Sequence, residues 1–328
     1  MPSAMRILSA CLVKTGAIRV LRRLKGQRHV ILTFHRILPP GSRSLSFDSC
    51  PAIPVDFFED VVRFTKTRFD IVPLIDLVEK RKSTNRLAAL TFDDGWRDNY
   101  DVAFPILKDL NLPATIFVTT SKIGGHEPFW QQQLGRVFEA AVQRPTSPLD
   151  VLLKKRLGIP KHQILGKTHF KSTVLSWKER SLATIDNDMK SLTCLVPKSE
   201  STARLFLNGA ELREMQEHGI GIGSHSVNHK VLTLESPESL EIELRQSRFE
   251  LENILQRPVP YFSYPNGAHS PIVVRKAAEC GYVVACTTGD RAIGADDDVM
   301  RLPRIDVGWD RFRTGERGFD DSAFLAVL

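Results

Sequence analysis

Cysteine is scarce in this chain and poorly placed for chemistry. The five cysteines, Cys11, Cys50, Cys194, Cys280 and Cys286, are odd in number and widely spaced, and no CxxC pair occurs. That excludes a disulfide framework and a thiolate metal site, and leaves free thiols packed as small hydrophobes. Long apolar runs are also missing. Residues 7–13 are apolar, but Lys14 ends the run, far short of the roughly 20 residues a membrane-spanning helix needs. No A-x-A cleavage site follows, so the run makes a weak signal segment at best. Charge of one sign is modest: the net charge of +7 favours anionic surfaces only mildly. With no RNP, zinc-finger or basic-zipper pattern, no nucleic-acid partner is expected.

What remains is the composition of a globular protein, 42% hydrophobic and 25% charged over 328 residues, enough for one large α/β barrel or two ordinary domains. Residues 1–28 stand apart. Arg6, Lys14, Arg19, Arg22, Arg23, Lys25 and Arg28 alternate with apolar residues. This reads as a basic, amphipathic segment, either packed on the domain or lying against an anionic membrane. The expected location is cytoplasmic or peripherally membrane-associated, with secretion left open.

From residue 29 onward, short apolar runs alternate with stretches of helical spacing. Strands are expected at 29–34, 69–74, 87–92, 113–119, 219–223, 259–264, 282–288 and 302–307, and helices at 55–69, 75–82, 103–110, 212–218, 237–255 and 272–280. Such alternation implies a parallel sheet, open or closed. Residues 121–203 break the pattern. They are polar, rich in Lys and Gln and helical in character, and read as an inserted helical subdomain.

Two segments carry the chemistry. Thr91-Phe92-Asp93-Asp94-Gly95 and His225-Ser226-Val227-Asn228-His229 each follow an apolar strand. Together they supply two adjacent carboxylates and two imidazoles at i, i+4, which meet at one point if the segment begins a helical turn. One carboxylate with two histidines is a common way to hold a divalent metal while leaving positions open. A spare carboxylate then serves as base. His35 and Tyr264-Pro265-Asn266-Gly267 also follow strands, and in parallel α/β folds functional residues gather at those ends. Trp96, Trp130 and Tyr264 are candidates for stacking on sugar rings.

TFDDG, HSVNH and FSYPNG, in that order over roughly residues 27–307, resemble the successive motifs of the polysaccharide deacetylase family (NodB-homology domain, carbohydrate esterase family 4). The resemblance implies an α/β fold, a distorted (β/α) barrel of about seven strands, here spanning 29–328 with the helical insertion. It also implies a metal-dependent hydrolase that removes N-acetyl groups from an amino-sugar oligo- or polysaccharide. Carried over, Asp93 is the catalytic base, and Asp94, His225 and His229 are metal ligands. The Tyr264 backbone N–H helps hold the oxyanion, and Trp96, Trp130 and Pro265 line the substrate site. Zinc suits two histidines and a carboxylate, with cobalt, nickel or iron acceptable.

Two departures sharpen the expectation. Ser263 occupies the place of the family's base-orienting arginine, and Arg304 is the expected substitute, with Arg301 the alternative. No histidine follows His269, so the usual late general acid is missing. Thr33-Phe34-His35-Arg36-Ile37 resembles the N-terminal acid motif of a circularly permuted branch, which makes His35 the expected acid. The competing readings are an amidohydrolase of a non-carbohydrate amide and an inactive glycan-binding relative.

Overall fold

A computed structural model describes residues 29–42, 47–197, 203–315 and 318–328; the basic segment 1–28 lies outside the described residues. Strand β1 (Val30–Phe34) is buried along its whole length; after the short β2 (Arg36–Leu38), β3 (Ala52–Pro54) and β4 (Asp70–Ile71), β5 (Leu87–Phe92) is again buried throughout. Two-sided burial is what a continuous apolar run permits, and it suits the interior of a parallel sheet. Strands β1 and β5 pair in parallel, with Leu32 opposite Leu90 and Phe34 opposite Phe92.

Alternate residues of these strands enter different apolar clusters, as the two-residue strand period requires. Val30, Leu32, Phe34, Leu90 and Phe92 pack outward against Phe57, Phe58, Val61 and Val62 of helix α1 (Val55–Lys66). Ile31 and Ala89 point the other way, toward Phe117, Cys286 and Leu302. Helix α2 (Leu74–Glu79) adds Leu74, Leu77 and Val78 to that inner cluster. The amino-terminal end of β1 is tied to the segment that follows α2 by His29, whose ring lies 2.8 Å from the Arg81 carbonyl and accepts the Leu87 N–H at 3.2 Å.

The sheet continues through β6 (Thr115–Val118), β7 (Gly221–Ser224), β8 (Tyr261–Ser263) and β9 (Val284–Cys286), every pairing parallel. Gly223 is required in β7: a Cβ there would lie 2.6 Å from the Phe117 ring. The edges of the curled sheet are linked by the segment 302–306. The Leu302 N–H donates to Ala285 of β9 and its carbonyl accepts from Thr287, while Val307 donates to Thr33 of β1. Ile305 and Asp306, as β10 (Ile305–Asp306), pair with Leu32 and Thr33. Pro303, with no N–H to give, sits where the chain changes partners. The architecture is the expected distorted (β/α) barrel.

Helix α3 (Phe104–Asp109) leads into β6 and α8 (Gly209–Glu217) into β7; among the described residues between β6 and α8 the insertion forms four α-helices, α4 (Trp130–Gln143), α5 (Pro148–Leu157), α6 (Lys167–Trp177) and α7 (Leu182–Thr193). Ser147 and Ser181 cap α5 and α7 by accepting amide hydrogens, a standard way to satisfy a helix start. These helices enclose their own core, with Phe138, Leu153, Phe170, Trp177 and Met189 among its members. The run 237–255, expected as one helix, contains a π-helical turn at Ile242–Gln246. Among the described residues, no helix is long and apolar enough to cross a membrane.

Candidate active site

Asp93 and Asp94 leave the carboxyl end of β5, His225 leaves β7, and His35 leaves β1. The curl of the sheet brings these ends to one cavity of about 310 Å³, lined by His35, Asp93, Asp94, His225, His229 and Arg304 among others. Three of them form a compact donor set. Candidate ligand atoms of Asp94, His225 and His229 lie within 4.8 Å of one another. His229 Nε2 is 3.4 Å and His225 Nε2 3.7 Å from Asp94 Oδ1.

Each donor is held from behind. His225 Nδ1 is 2.7 Å from the Ser263 carbonyl. A carbonyl only accepts, so Nδ1 carries the hydrogen and Nε2 presents a lone pair to the cavity. The Trp96 indole N–H donates to Asp94 Oδ2 at 2.9 Å, leaving Oδ1 toward the histidines. The histidines do not converge through a helical turn. Ser226 and His229 take left-handed φ values of 64° and 55°, and Asp94 one of 77°. Backbone strain of this kind persists only where surroundings impose it. Here the Ser226 hydroxyl accepts the His229 N–H at 3.0 Å, and the Ser224 hydroxyl accepts the Ser226 N–H at 3.2 Å. Glu243, buried in the π-helical turn, accepts both the backbone N–H and the side-chain amide of Asn228 at 2.8 Å. The turn thus has a function at this site, as such turns often do.

The donor set fits a divalent ion. Burial pushes the His225 imidazole down to about 4 against the pull of Asp93 and Asp94. Burial, reinforced by Lys178, does the same to His229. Both rings are therefore neutral near pH 7, the state a metal ligand requires. A stability consequence follows for the metal-free protein. The folded state keeps both rings neutral until about pH 4, whereas the unfolded chain protonates them below its ordinary value of 6.5. The unfolded state thus binds more protons between those limits, so stability falls as pH drops from about 6.5 to about 4 and levels off below. Denaturant titrations across pH 4–7 should show a loss on the order of a few kcal/mol; a flat profile would contradict this placement of the rings.

Asp93 sits beside the donor set but is claimed by a different partner. Arg304 grips it bidentately, at 2.7 Å to Oδ1 and 2.6 Å to Oδ2. The same guanidinium donates to the Ser263 hydroxyl at 2.8 Å and the Thr287 carbonyl at 3.2 Å. Both residues are almost wholly buried. Burial alone would raise the Asp93 pKa, but Arg304 and His225 hold it well below the ordinary carboxylate range. Arg301, the alternative, lies on the surface paired with Asp298 at 2.9 Å.

His35 stands on the cavity wall with Nδ1 3.8 Å from Asp306 Oδ1, and among the described residues neither atom has a hydrogen-bond partner. Burial raises the Asp306 pKa and His35 opposes the rise. Asp306 escaped the sequence reading; it lies in the last expected strand and only the pairing with Thr33 of β1 sets it beside His35. The turn carrying His35 is pinned by Asp98, which accepts from Arg36 Nε at 2.9 Å and the Ile37 N–H at 3.2 Å.

Four expectations need correction. The Tyr264 backbone N–H donates to the Cys286 carbonyl at 3.0 Å, so pairing of the strand end consumes the expected oxyanion donor. Its ring is fully buried, with the hydroxyl donating to Met300 at 3.0 Å, and cannot stack on a sugar. Trp96 is buried against Phe129 and Phe206; it supports Asp94 rather than lining the site. Pro265 is buried, and Asn266 and Gly267 of the same loop line the cavity instead. Trp130 is half-buried on a shallow extension of the cavity that also includes Lys178 and His229.

Comparison with known proteins identifies the family and the fold. The polysaccharide deacetylase family pattern matches residues 80–144 and 175–285. YxkH of Bacillus subtilis (strain 168), whose name places it among polysaccharide deacetylases, is 22% identical over 252 residues; the match takes in 77% of this chain and 60% of that protein's length. The deacetylase PplD of Streptococcus pyogenes, solved with acetate, superposes with a TM-score of 0.57 at 18% identity, covering 87% of this chain and 95% of that one. IcaB from Ammonifex degensii superposes at 0.55 with 19% identity, covering 87% and 94%. These structural likenesses establish the shared fold. With the family pattern spanning more than half of its residues, the chain belongs to the polysaccharide deacetylase family.

Proposed function

We propose that this protein removes N-acetyl groups from an amino-sugar oligo- or polysaccharide of the N-acetylglucosamine type by hydrolysis. The observation that carries the reading is the division of labour between the two aspartates. Asp94 joins His225 and His229 in the donor set, while Asp93 is held by Arg304 within the same cavity. A divalent ion on the donor set would supply Lewis acidity, lowering the pKa of water and polarising the amide carbonyl; zinc is the proposed ion.

The chain's own residues do the rest. Asp93 takes the proton from the attacking water, and Arg304 keeps both carboxylate oxygens in place and ionised before the reaction. His35, protonated, gives its proton to the departing sugar amine, so that amine and acetate leave. Asp306 faces the other ring nitrogen and stabilises the imidazolium, the role a carboxylate plays behind a catalytic histidine.

The test is acetate release by the zinc-loaded protein from chitin oligomers, peptidoglycan and poly-N-acetylglucosamine. Release from at least one is expected, and silence on all of them overturns the reading. His35→Ala should lower kcat by roughly 10²- to 10³-fold, the usual range for a lost general acid, with metal content unchanged. Full activity in that variant would remove His35 from the mechanism.

A further inference from the structure

Most charges around the cavity have a partner. Arg304 is paired with Asp93, Asp94 belongs to the donor set, Asp306 faces His35, and Asp290 is paired with Arg311. One cation is left over. Lys178 lines the cavity and its shallow extension, and among the described residues its ammonium makes no hydrogen bond or salt bridge. Burial lowers its pKa, and the charge of Asp94 opposes this.

Two acceptors share its wall. Gln131 and Gln132 are 8% and 6% exposed, and among the described residues the amide oxygen of each has no hydrogen-bond partner. Both side chains line the same cavity. The Gln132 amide nitrogen donates to Asp48 Oδ1 at 3.4 Å, which leaves the oxygen as the unpartnered end. The wall is built by the helical insertion: the two glutamines lie in the first turn of α4, and Lys178 directly follows α6. Two buried acceptors without a partner cost free energy until a ligand satisfies them, and the half-buried Lys178 stands on the same wall as an unpaired cation.

The geometry points to a specificity subsite for an anionic amino sugar. Lys178 receives a carboxylate or phosphate group carried by the substrate, and the oxygens of Gln131 and Gln132 accept hydrogen bonds from its neighbouring hydroxyls. This inference rests on the deacetylase reading and adds the charge of the substrate to it. Charge-assisted hydrogen bonds in a partly desolvated site are among the stronger ones, and one such contact is expected to favour the charged substrate by roughly tenfold to a hundredfold.

The experiment compares kcat/KM for acetate release by the zinc-loaded full chain on three matched N-acetylglucosamine oligosaccharides: neutral, carboxylated and phosphorylated. At least one charged oligosaccharide should be preferred tenfold or more, and the two charged arms identify which anion is read. Lys178→Met should erase the preference and Lys178→Arg should retain part of it. Equal use of all three by the parent overturns the inference, as does a uniform loss on all three in Lys178→Met. If no oligosaccharide releases acetate, the deacetylase reading fails and calorimetric binding of the same three compounds decides. Tighter binding of a charged one, lost in Lys178→Met, supports the subsite. Equal binding refutes it.

Discussion

Asp93→Asn is expected to lower kcat for deacetylation by about 10³-fold while the protein still takes up one metal ion per chain. Asparagine keeps the shape of the side chain and one carbonyl oxygen but cannot accept a proton from water, and a positioned base contributes roughly 10²- to 10⁴-fold. The donor set, by contrast, consists of Asp94, His225 and His229 and does not include Asp93. Metal content by elemental analysis, measured beside acetate release, separates the two roles. Activity within tenfold of the parent would mean that Asp93 is not the base. Loss of metal together with activity would mean that the two aspartates have been assigned the wrong way round.

Arg304→Met should be the most destabilising single change at the site. It removes both bonds to Asp93 and the bonds to Ser263 and Thr287, leaving a buried carboxylate without its cation. Breaking one side of a buried pair typically costs about 3–5 kcal/mol. The pH dependence identifies the cause. In the parent, Asp93 is held below its ordinary value of 3.8, so its contribution to stability is present above that pH and is lost as pH falls through the folded-state value. In the variant, burial without Arg304 raises Asp93 above its unfolded value, and the penalty then grows as pH rises through and beyond the unfolded value. Denaturation at pH 4 and pH 7 should therefore show a larger deficit at pH 7. An equal deficit at both would assign the loss to packing and the Ser263 and Thr287 bonds instead. Adding Asp93→Asn to Arg304→Met should return part of the stability, because the double variant no longer buries an unpaired charge. The same shift moves Asp93 toward its protonated form near neutrality, so Arg304→Met should lose activity most strongly on the acid side of the pH profile.

Much of this site was legible before the fold was known, for a local reason. A strand ends where its apolar run ends, and Asp93, Asp94, His225 and His35 each stand next to such a boundary. The runs 30–34 and 87–92 are buried throughout, which is why they read clearly. Arg304 was legible only as an absence, because Ser263 occupies the place where an arginine was expected. Its guanidinium lies 2.8 Å from the Ser263 hydroxyl, so the cation comes to the same point from the segment just before β10. Misreadings came where a residue's partner lies far along the chain. Tyr264 looked free to hold an oxyanion, but its N–H belongs to Cys286. Trp96 looked like a sugar platform, but its ring is buried against Phe129 and Phe206. Asp306 and Glu243 gave no local signal at all, since a carboxylate on a strand or helix looks the same whether it faces water or a catalytic loop.

By itself, then, the order of residues determined the strands, the fold class, the donor types and the likeness of TFDDG and HSVNH to known motifs, because each depends on neighbours a few positions apart. Tertiary structure alone decided what stands behind His35, that the Tyr264 N–H is taken by Cys286, and that Gln131, Gln132 and Lys178 of the insertion share the cavity with the donor set. Those outcomes depend on distances of a few ångströms between residues as far apart in the chain as His35 and Asp306, and only the curling of the sheet brings such residues together.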